Sequence, residues 1–324
     1  MSKFKPLLAC EVPIDKVVFP MYASVKLDGI LAIVLDGVLV SRTLKPIRNK
    51  YLQQKFGKPE YNFFVGELVC GDIYAEDVFQ KSTSAVMSID GEPKDVKFYI
   101  FDYCKNKDDP FVVRIEDLIT KRIGIDSDDL HVIRQKLIYN KDEFNTFFEA
   151  EFKKNGEGII LRKPDGVYKY GRSTPKQMLS CKYKFMEQDE FIITGFVEQQ
   201  TNTNEAVINE LGYTERSSSK GGMVGNNTLG AFIVKSLCGS ITFTVGTGRG
   251  LTKELRKEIW DNKESYLGKY ASIRYMKAGV VEKPRQPILV GIRDENDLWK
   301  YRRIKMYDTE SINSFRNYCT NYLW

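Results

Sequence analysis

Ala23-Ser24-Val25-Lys26-Leu27-Asp28-Gly29-Ile30 is the stretch on which the reading of this chain turns. A lysine amine prefers water, yet this one closes a short apolar, β-forming run and is followed by Asp-Gly, a turn-forming pair. The pattern predicts a lysine held by a turn with its amine facing inward, a candidate nucleophile. Attack requires the neutral amine, so the site needs desolvation or neighbouring cations to lower a pKa that ordinarily lies near ~10.4. Lys-x-Asp-Gly also occurs in plain surface hairpins, so these four residues decide nothing alone. Further on, Asp36-Gly37 between the apolar runs 32–35 and 38–40 predicts a hairpin, which would place Lys26 on the strand that enters it.

Four more segments follow in order. Val65-Gly66-Glu67-Leu68-Val69 sets a lone carboxylate in an apolar run, and Lys97-Phe98-Tyr99-Ile100-Phe101-Asp102 is an aromatic strand ending in an acid. Glu157-Gly158-Ile159-Ile160-Leu161-Arg162 comes next, then Ser180-Cys181-Lys182-Tyr183-Lys184-Phe185, whose two lysines share one strand face. Each segment is weak by itself. Taken in order, the five resemble the ATP-dependent DNA ligases of the covalent nucleotidyltransferase superfamily, whose hallmarks are a lysine motif, a Gly-Glu, a Phe-Asp, a Glu-Gly and a Lys-x-Lys motif. The resemblance runs from about residue 20 to residue 294, and the compact layout is similar to the small two-domain bacteriophage type.

Composition sets the bounds. A chain of 324 residues with 42% hydrophobic content can bury a substantial core and suggests two domains. There is no apolar run of about 18 residues, and the opening MetSerLysPheLysProLeuLeu is no secretion segment, so a cytoplasmic protein without a membrane partner is expected. Cysteines at 10, 70, 104, 181, 238 and 319 lack Cys-x-x-Cys spacing, and with His131 as the one histidine they supply no zinc site. The net charge is +6, and from residue 191 onward 19 basic residues face 14 acidic ones. That balance suits binding to a phosphate backbone, and equally suits ordinary solubility.

The expected fold class is α+β. Residues 1–188 read as an adenylation (nucleotidyltransferase) domain of mixed antiparallel sheets and helices, with helices at 77–86, 130–137 and 141–154. The last carries Phe144, Phe147, Phe148 and Phe152 as core residues and ends at Asn155-Gly156. No Gly-x-Gly-x-x-Gly follows an early strand, which excludes a Rossmann unit. Residues 189–324 read as an OB-fold domain: five strand-like runs at 191–197, 229–237, 241–245, 270–275 and 287–293, with a helix at 252–260 between the third and fourth. The polar stretch 199–227 is expected to be an inserted loop with a short helix at 204–211, and 308–324 a helical tail packed on the barrel.

The resemblance implies a chemistry for particular residues. Lys26 would take AMP from ATP. Glu67 would bind the ribose hydroxyls, Phe101 would stack on adenine, Ile159 would cover its other face, and Ser24 would meet its edge. Mg2+, with Mn2+ as substitute, needs oxygen ligands; Glu157 is the first choice, then Glu67 and Asp28. Lys182 and Lys184 would face the α-phosphate from the side opposite the acids, Arg42 and Arg172 would contact phosphate, and Arg285 and Arg293 would orient the leaving pyrophosphate. The chain departs from the family at Leu31, where an arginine is usual five residues after the nucleophile. Nicked double-stranded DNA is the implied partner and a monomer the expected state, with Arg216, Lys220, Arg249, Lys253, Arg256 and Lys257 as candidate backbone contacts and Gly221-Gly222 and Gly246 allowing close backbone approach. Gln188-Asp189 is the expected pivot between the domains. ATP is favoured over NAD+ because no nicotinamide-binding domain precedes Lys26 and no four-cysteine cluster exists. Competing readings are an RNA ligase, an mRNA-capping guanylyltransferase and a non-catalytic nucleic-acid-binding clamp.

Overall fold

A computed structural model describes residues 4–276 and 283–294. The chain divides into two compact units: one runs to Phe185 and includes Ala206–Arg216, the other holds Met186–Glu205 and the residues from Ser217 onward. Among the described residues no helix is long and apolar enough to cross a membrane.

In chain order the first unit contains β1 (Leu7–Leu8), β2 (Met21–Val25), β3 (Ile30–Leu35), β4 (Val38–Ser41), α1 (Lys50–Phe56), β5 (Phe64–Cys70), α2 (Val78–Met87) and β6 (Val96–Tyr103). It continues with α3 (Phe111–Ile123), β7 (Leu130–Val132), β8 (Lys136–Ile138), α4 (Lys141–Lys153), β9 (Gly158–Arg162), β10 (Gly171–Arg172) and β11 (Ser180–Lys184). The expected helix at 130–137 is therefore two short strands. β7 pairs with β6 in one sheet and β8 with β2 in another, so pairing at two sheet edges overrides the local periodicity.

One sheet has the order β4-β3-β5-β6-β7. Its inward residues, among them Ala32, Val34, Leu68, Phe98 and Ile100, form a core with Leu52 and Phe56 of α1, Val86 of α2 and Phe111, Ile115 and Leu118 of α3. Strand alternation then sends Leu31, Glu67, Tyr99 and Phe101 to the opposite face, where Tyr99 and Phe101 pack against Leu27, Val69, Ile133 and Val78 at the start of α2. The β3–β4 turn is the two-residue Asp36-Gly37, with φ of 51° and 73°, the geometry of a type I′ hairpin.

A second sheet has the order β11-β9-β2-β8. Met21, Ala23, Ile138, Ile159, Leu161 and Cys181 pack there with Phe144 of α4. Asn140 caps α4 by accepting from the Glu143 amide at 2.9 Å, while Glu143 accepts from the Tyr139 amide at 3.0 Å, a reciprocal N-terminal cap. Asn155, at φ 63°, turns the chain out of the helix toward Glu157, as the Asn-Gly pair predicts.

The second unit contains β12 (Glu187–Asn202), β15 (Met223–Ser236), β16 (Thr242–Val245), α5 (Lys253–Asp261), β17 (Tyr270–Met276) and β18 (Arg285–Arg293); β13 (Ala206–Ile208) and β14 (Thr214–Arg216) pair as a hairpin grouped with the first unit. Its sheet is antiparallel, in the order β16-β15-β12-β17-β18, around a core of Phe191, Phe232, Val234, Val245, Ile259 and Ile273. The polar stretch 199–227 is not a loop with a helix. β12 and β15 extend through it as a ribbon, pairing as far as Asn202 and Met223, and the expected helix at 204–211 is the first arm of the hairpin. Cross-strand pairing lets Thr-, Asn- and Ser-rich sequence form strands that solvate both faces. The expected C-terminal helix at 308–324 lies outside the described residues.

Candidate active site

Lys26 occupies the link between the two sheets, directly after β2 and before β3. It therefore joins two sheets instead of entering a single hairpin, the β3–β4 turn being a separate feature. Its amide donates to the Gly158 carbonyl at 2.9 Å, which extends the β2–β9 pairing by one residue. This fixes the neighbours of its side chain. By strand register Ser24 lies beside Ile160 and Ile160 beside Lys182, while Lys184 lies beside Gly158. These side chains share the face turned away from α4.

The Lys26 amine is bonded to Glu157 Oε2, and Lys184 Nζ lies 3.1 Å from Glu157 Oε1, so one buried carboxylate is held by two amines. Burial acts to lower the Lys26 pKa, but the charges of Glu157, Glu67 and Asp28 outweigh it, and the amine stays above its ordinary value. Glu67 accepts from the Gly29 amide at 2.9 Å. Burial pushes its carboxyl up to about 7 against the pull of Lys26, with Glu157 adding to the rise. The Glu-Gly pairing has a steric reason. A Cβ on Gly158, at φ 154°, would stand 2.0 Å from the Tyr183 carbonyl oxygen and force β9 and β11 apart.

Four expectations change. Ile159 does not line the site: it is fully buried in the core against α4, because the residue sharing a face with Lys182 is Ile160. Counting by two from Lys184 through its pairing with Gly158 would have found it. Lys182 and Lys184 do not stand opposite the acids; Lys184 bonds Glu157, and Lys182 Nζ lies 3.2 Å from Glu11 Oε1. Arg256 is committed to the fold, donating to the carbonyls of Leu229, Gly230, Gly246 and Leu251. The approach of Gly246 is likewise internal, since a Cβ there would meet the Gly230 carbonyl oxygen at 2.5 Å.

The remaining candidates are more scattered. Phe101 is half-buried, and its neighbour Asp102 is buried between Arg114 and Arg162, which hold its carboxyl below the usual range despite burial. Ser24 is buried at 3% exposure, and Asp28 lies within the electrostatic reach of Lys26. Arg42 is exposed in the turn after β4, and Arg172 donates to the Ala9 carbonyl at 2.6 Å. Leu31 pairs in register with Glu67. Arg285 and Arg293 begin and end β18, and Arg293 Nε lies 3.6 Å from Glu190. Among the described residues no three His, Cys, Asp or Glu side chains are grouped to hold a metal. The acids fit Mg2+ only in its usual manner, one or two carboxylates completed by water and substrate phosphates.

A half-buried lysine paired with a carboxylate, a second carboxylate near neutrality and a half-buried aromatic ring on β6 make a site suited to nucleotidyl transfer. The family model for the ATP dependent DNA ligase domain matches residues 6–184, and the chain belongs to that family. Its activity is that of an ATP-dependent DNA ligase, which seals nicks through adenylyl transfer. Two structures of Chlorella virus DNA ligase-adenylate are similar at 28% and 29% identity, over 91% and 90% of this chain and 99% and 100% of theirs, with TM-scores of 0.50 and 0.51. A Lig E DNA ligase shares the fold at TM-score 0.67 and 20% identity, over 89% of this chain and 99% of that one. No curated protein sequence matches the chain.

Proposed function

We propose that this DNA ligase works through Lys26 as the nucleophile, and the observation that supports it is the convergence of Glu157, Glu67 and Asp28 on that one amine. In the first step the Lys26 nitrogen attacks the α-phosphorus of ATP, a P–N bond forms, the bridging P–O bond breaks and pyrophosphate leaves. Glu157 keeps the amine charged until substrate enters. Cations that drew these carboxylates away would weaken their hold on the proton, leaving burial to favour the neutral amine. Bound Mg2+ would cancel phosphate charge and orient the leaving group, held by Glu157 with Glu67 or Asp28. Lys182 and Lys184 would hold the α-phosphate. Phe101 and Ile160 would bracket the adenine, Glu67 would accept from the ribose hydroxyls and Ser24 would meet the base edge. Arg285 and Arg293 would act on the pyrophosphate.

In the second step an oxygen of the nick's 5'-phosphate attacks the AMP phosphorus and frees Lys26. In the third, the 3'-hydroxyl displaces AMP. Both demand aligned ends, so positioning supplies most of the rate. Arg42, exposed after β4, is free to reach DNA phosphate, and no arginine at position 31 shares that task.

We read residues 1–188 as the catalytic lobe and 189–324 as an OB-type barrel with a β-ribbon insertion. Five antiparallel strands, a helix between the third and fourth, and a Gly248–Leu289 bridge support the barrel. A monomer acting in the cytoplasm on nicked duplex DNA completes the proposal. Transfer of label to protein from ATP, but not from GTP or NAD+, together with sealing of nicked DNA in preference to nicked RNA, is the expected result. Labelling by GTP would favour the capping-enzyme reading, and no labelling the non-catalytic clamp.

A further inference from the structure

Arg162 closes β9 on the face of Ile160, yet it is only 7% exposed. Its Nη1 donates to Asp102 Oδ2 at 2.6 Å, and its guanidinium carbon lies over the Phe101 ring, 4.7 Å from the centroid. Arg114 already serves Asp102 with two bonds, Nε to Oδ1 at 2.8 Å and Nη2 to Oδ2 at 3.2 Å, and spends Nη1 on the Asp109 and Gly166 carbonyls. One carboxylate thus faces two buried guanidinium groups, and the Nε of Arg162 has no hydrogen-bond partner. The second guanidinium, which also lies over the Phe111 ring at 5.1 Å, costs desolvation that a shared acid only partly returns.

We propose that Arg162 is a positioning residue for the nucleotide base: anchored by Asp102, it covers one face of the Phe101 ring and presents the opposite face to adenine. The inference rests on the reading that Phe101 stacks on the base. A phenylalanine ring turns within a broad torsional well, and a flat cation fixed against one face removes that freedom before substrate arrives. Arg162 thereby governs affinity for the base, with the phosphate end of the site left to the lysines.

The test is the kinetics of protein adenylation in Arg162→Met, Arg162→Lys, Phe101→Ala and the Phe101→Ala/Arg162→Met double variant, with tripolyphosphate as a competitor that has no base. Arg162→Met leaves Asp102 bonded to Arg114, so the acid is not orphaned. It should raise KM for ATP about tenfold, the scale of a desolvated cation–π contact, with kcat within about twofold. Tripolyphosphate inhibition should not change. In the Phe101→Ala background the same substitution should add nothing, a non-additivity that general loosening does not produce. Lysine keeps the charge without the flat face, so Arg162→Lys should recover only part of the KM, and it carries the test should the methionine variant unfold. An Arg162 effect of equal size with and without the Phe101 ring, or a parallel loss of tripolyphosphate affinity, overturns the positioning role alone. A Phe101→Ala protein with unchanged KM for ATP overturns the stacking reading itself.

Discussion

At the residue scale the site sets burial against charge at Lys26 and Glu67. Burial pushes the Glu67 carboxyl up to about 7 in the folded protein, against about 4.3 in an unfolded chain. The folded state therefore holds this proton more tightly, and its contribution to stability is greatest below the unfolded value and declines as pH rises toward 7. Glu67→Gln should remove that decline and be the more stable protein above pH 7, as thermal melts across pH 4 to 8 would show; parallel curves for both proteins would rule the assignment out. Ile159 and Ile160 make a second contrast. Ile159→Ala opens a cavity in the core against α4 and should cost about 2–5 kcal/mol of stability, whereas Ile160→Ala should raise KM for ATP with a smaller change in melting. The reverse pattern would return Ile159 to the base. The sequence singled out Lys26 and Glu157 through the order of their segments, and the two side chains meet in the structure. The side of the strand was not legible, because it depends on a register set by a partner 131 residues away.

At the element scale, β9 and β18 carry the sharpest expectations. Gly158→Ala drives a methyl group against the Tyr183 carbonyl, so β9 must slip relative to β11 and carry Glu157 away from Lys26 and Lys184. Adenylation should fall at least about a hundredfold, in line with misplacement of reacting groups by an ångström; a variant with near-normal rate would mean the strand tolerates the shift. Arg293→Ala on β18 should fail to adenylate yet still seal a nick whose 5' end already carries AMP, because pyrophosphate is present only in the first step. Equal loss in both half-reactions would make Arg293 structural, through its neighbour Glu190. Element reading from sequence worked where the signal is local, as in the Asp36-Gly37 turn and the capped α4. It missed at β7, β8 and the 199–227 ribbon, where edge pairing with distant strands decides the outcome.

At the scale of the whole molecule, the basic residues of the 199–227 ribbon should separate binding from chemistry. Arg216→Ala with Lys220→Ala should leave adenylation intact while weakening DNA binding, the more so as salt rises, with a shallower salt dependence by about one unit per lost phosphate contact. Everything in this chemistry depends on Lys26 carrying the nucleotide. Lys26→Ala does not orphan Glu157, which keeps Lys184 at 3.1 Å, so loss of activity in that variant reports on the nucleophile and not on a collapsed site. The direct measurement is mass-spectrometric mapping of AMP on the protein after incubation with ATP and Mg2+, beside sealing of a pre-adenylated nick by the same preparations. The expected result is one AMP on Lys26 in the native protein, none on Lys26→Ala, and residual sealing of the pre-adenylated nick by that variant. AMP bound covalently to Lys26→Ala, or mapped to Lys182 or Lys184 in the native protein, would contradict it.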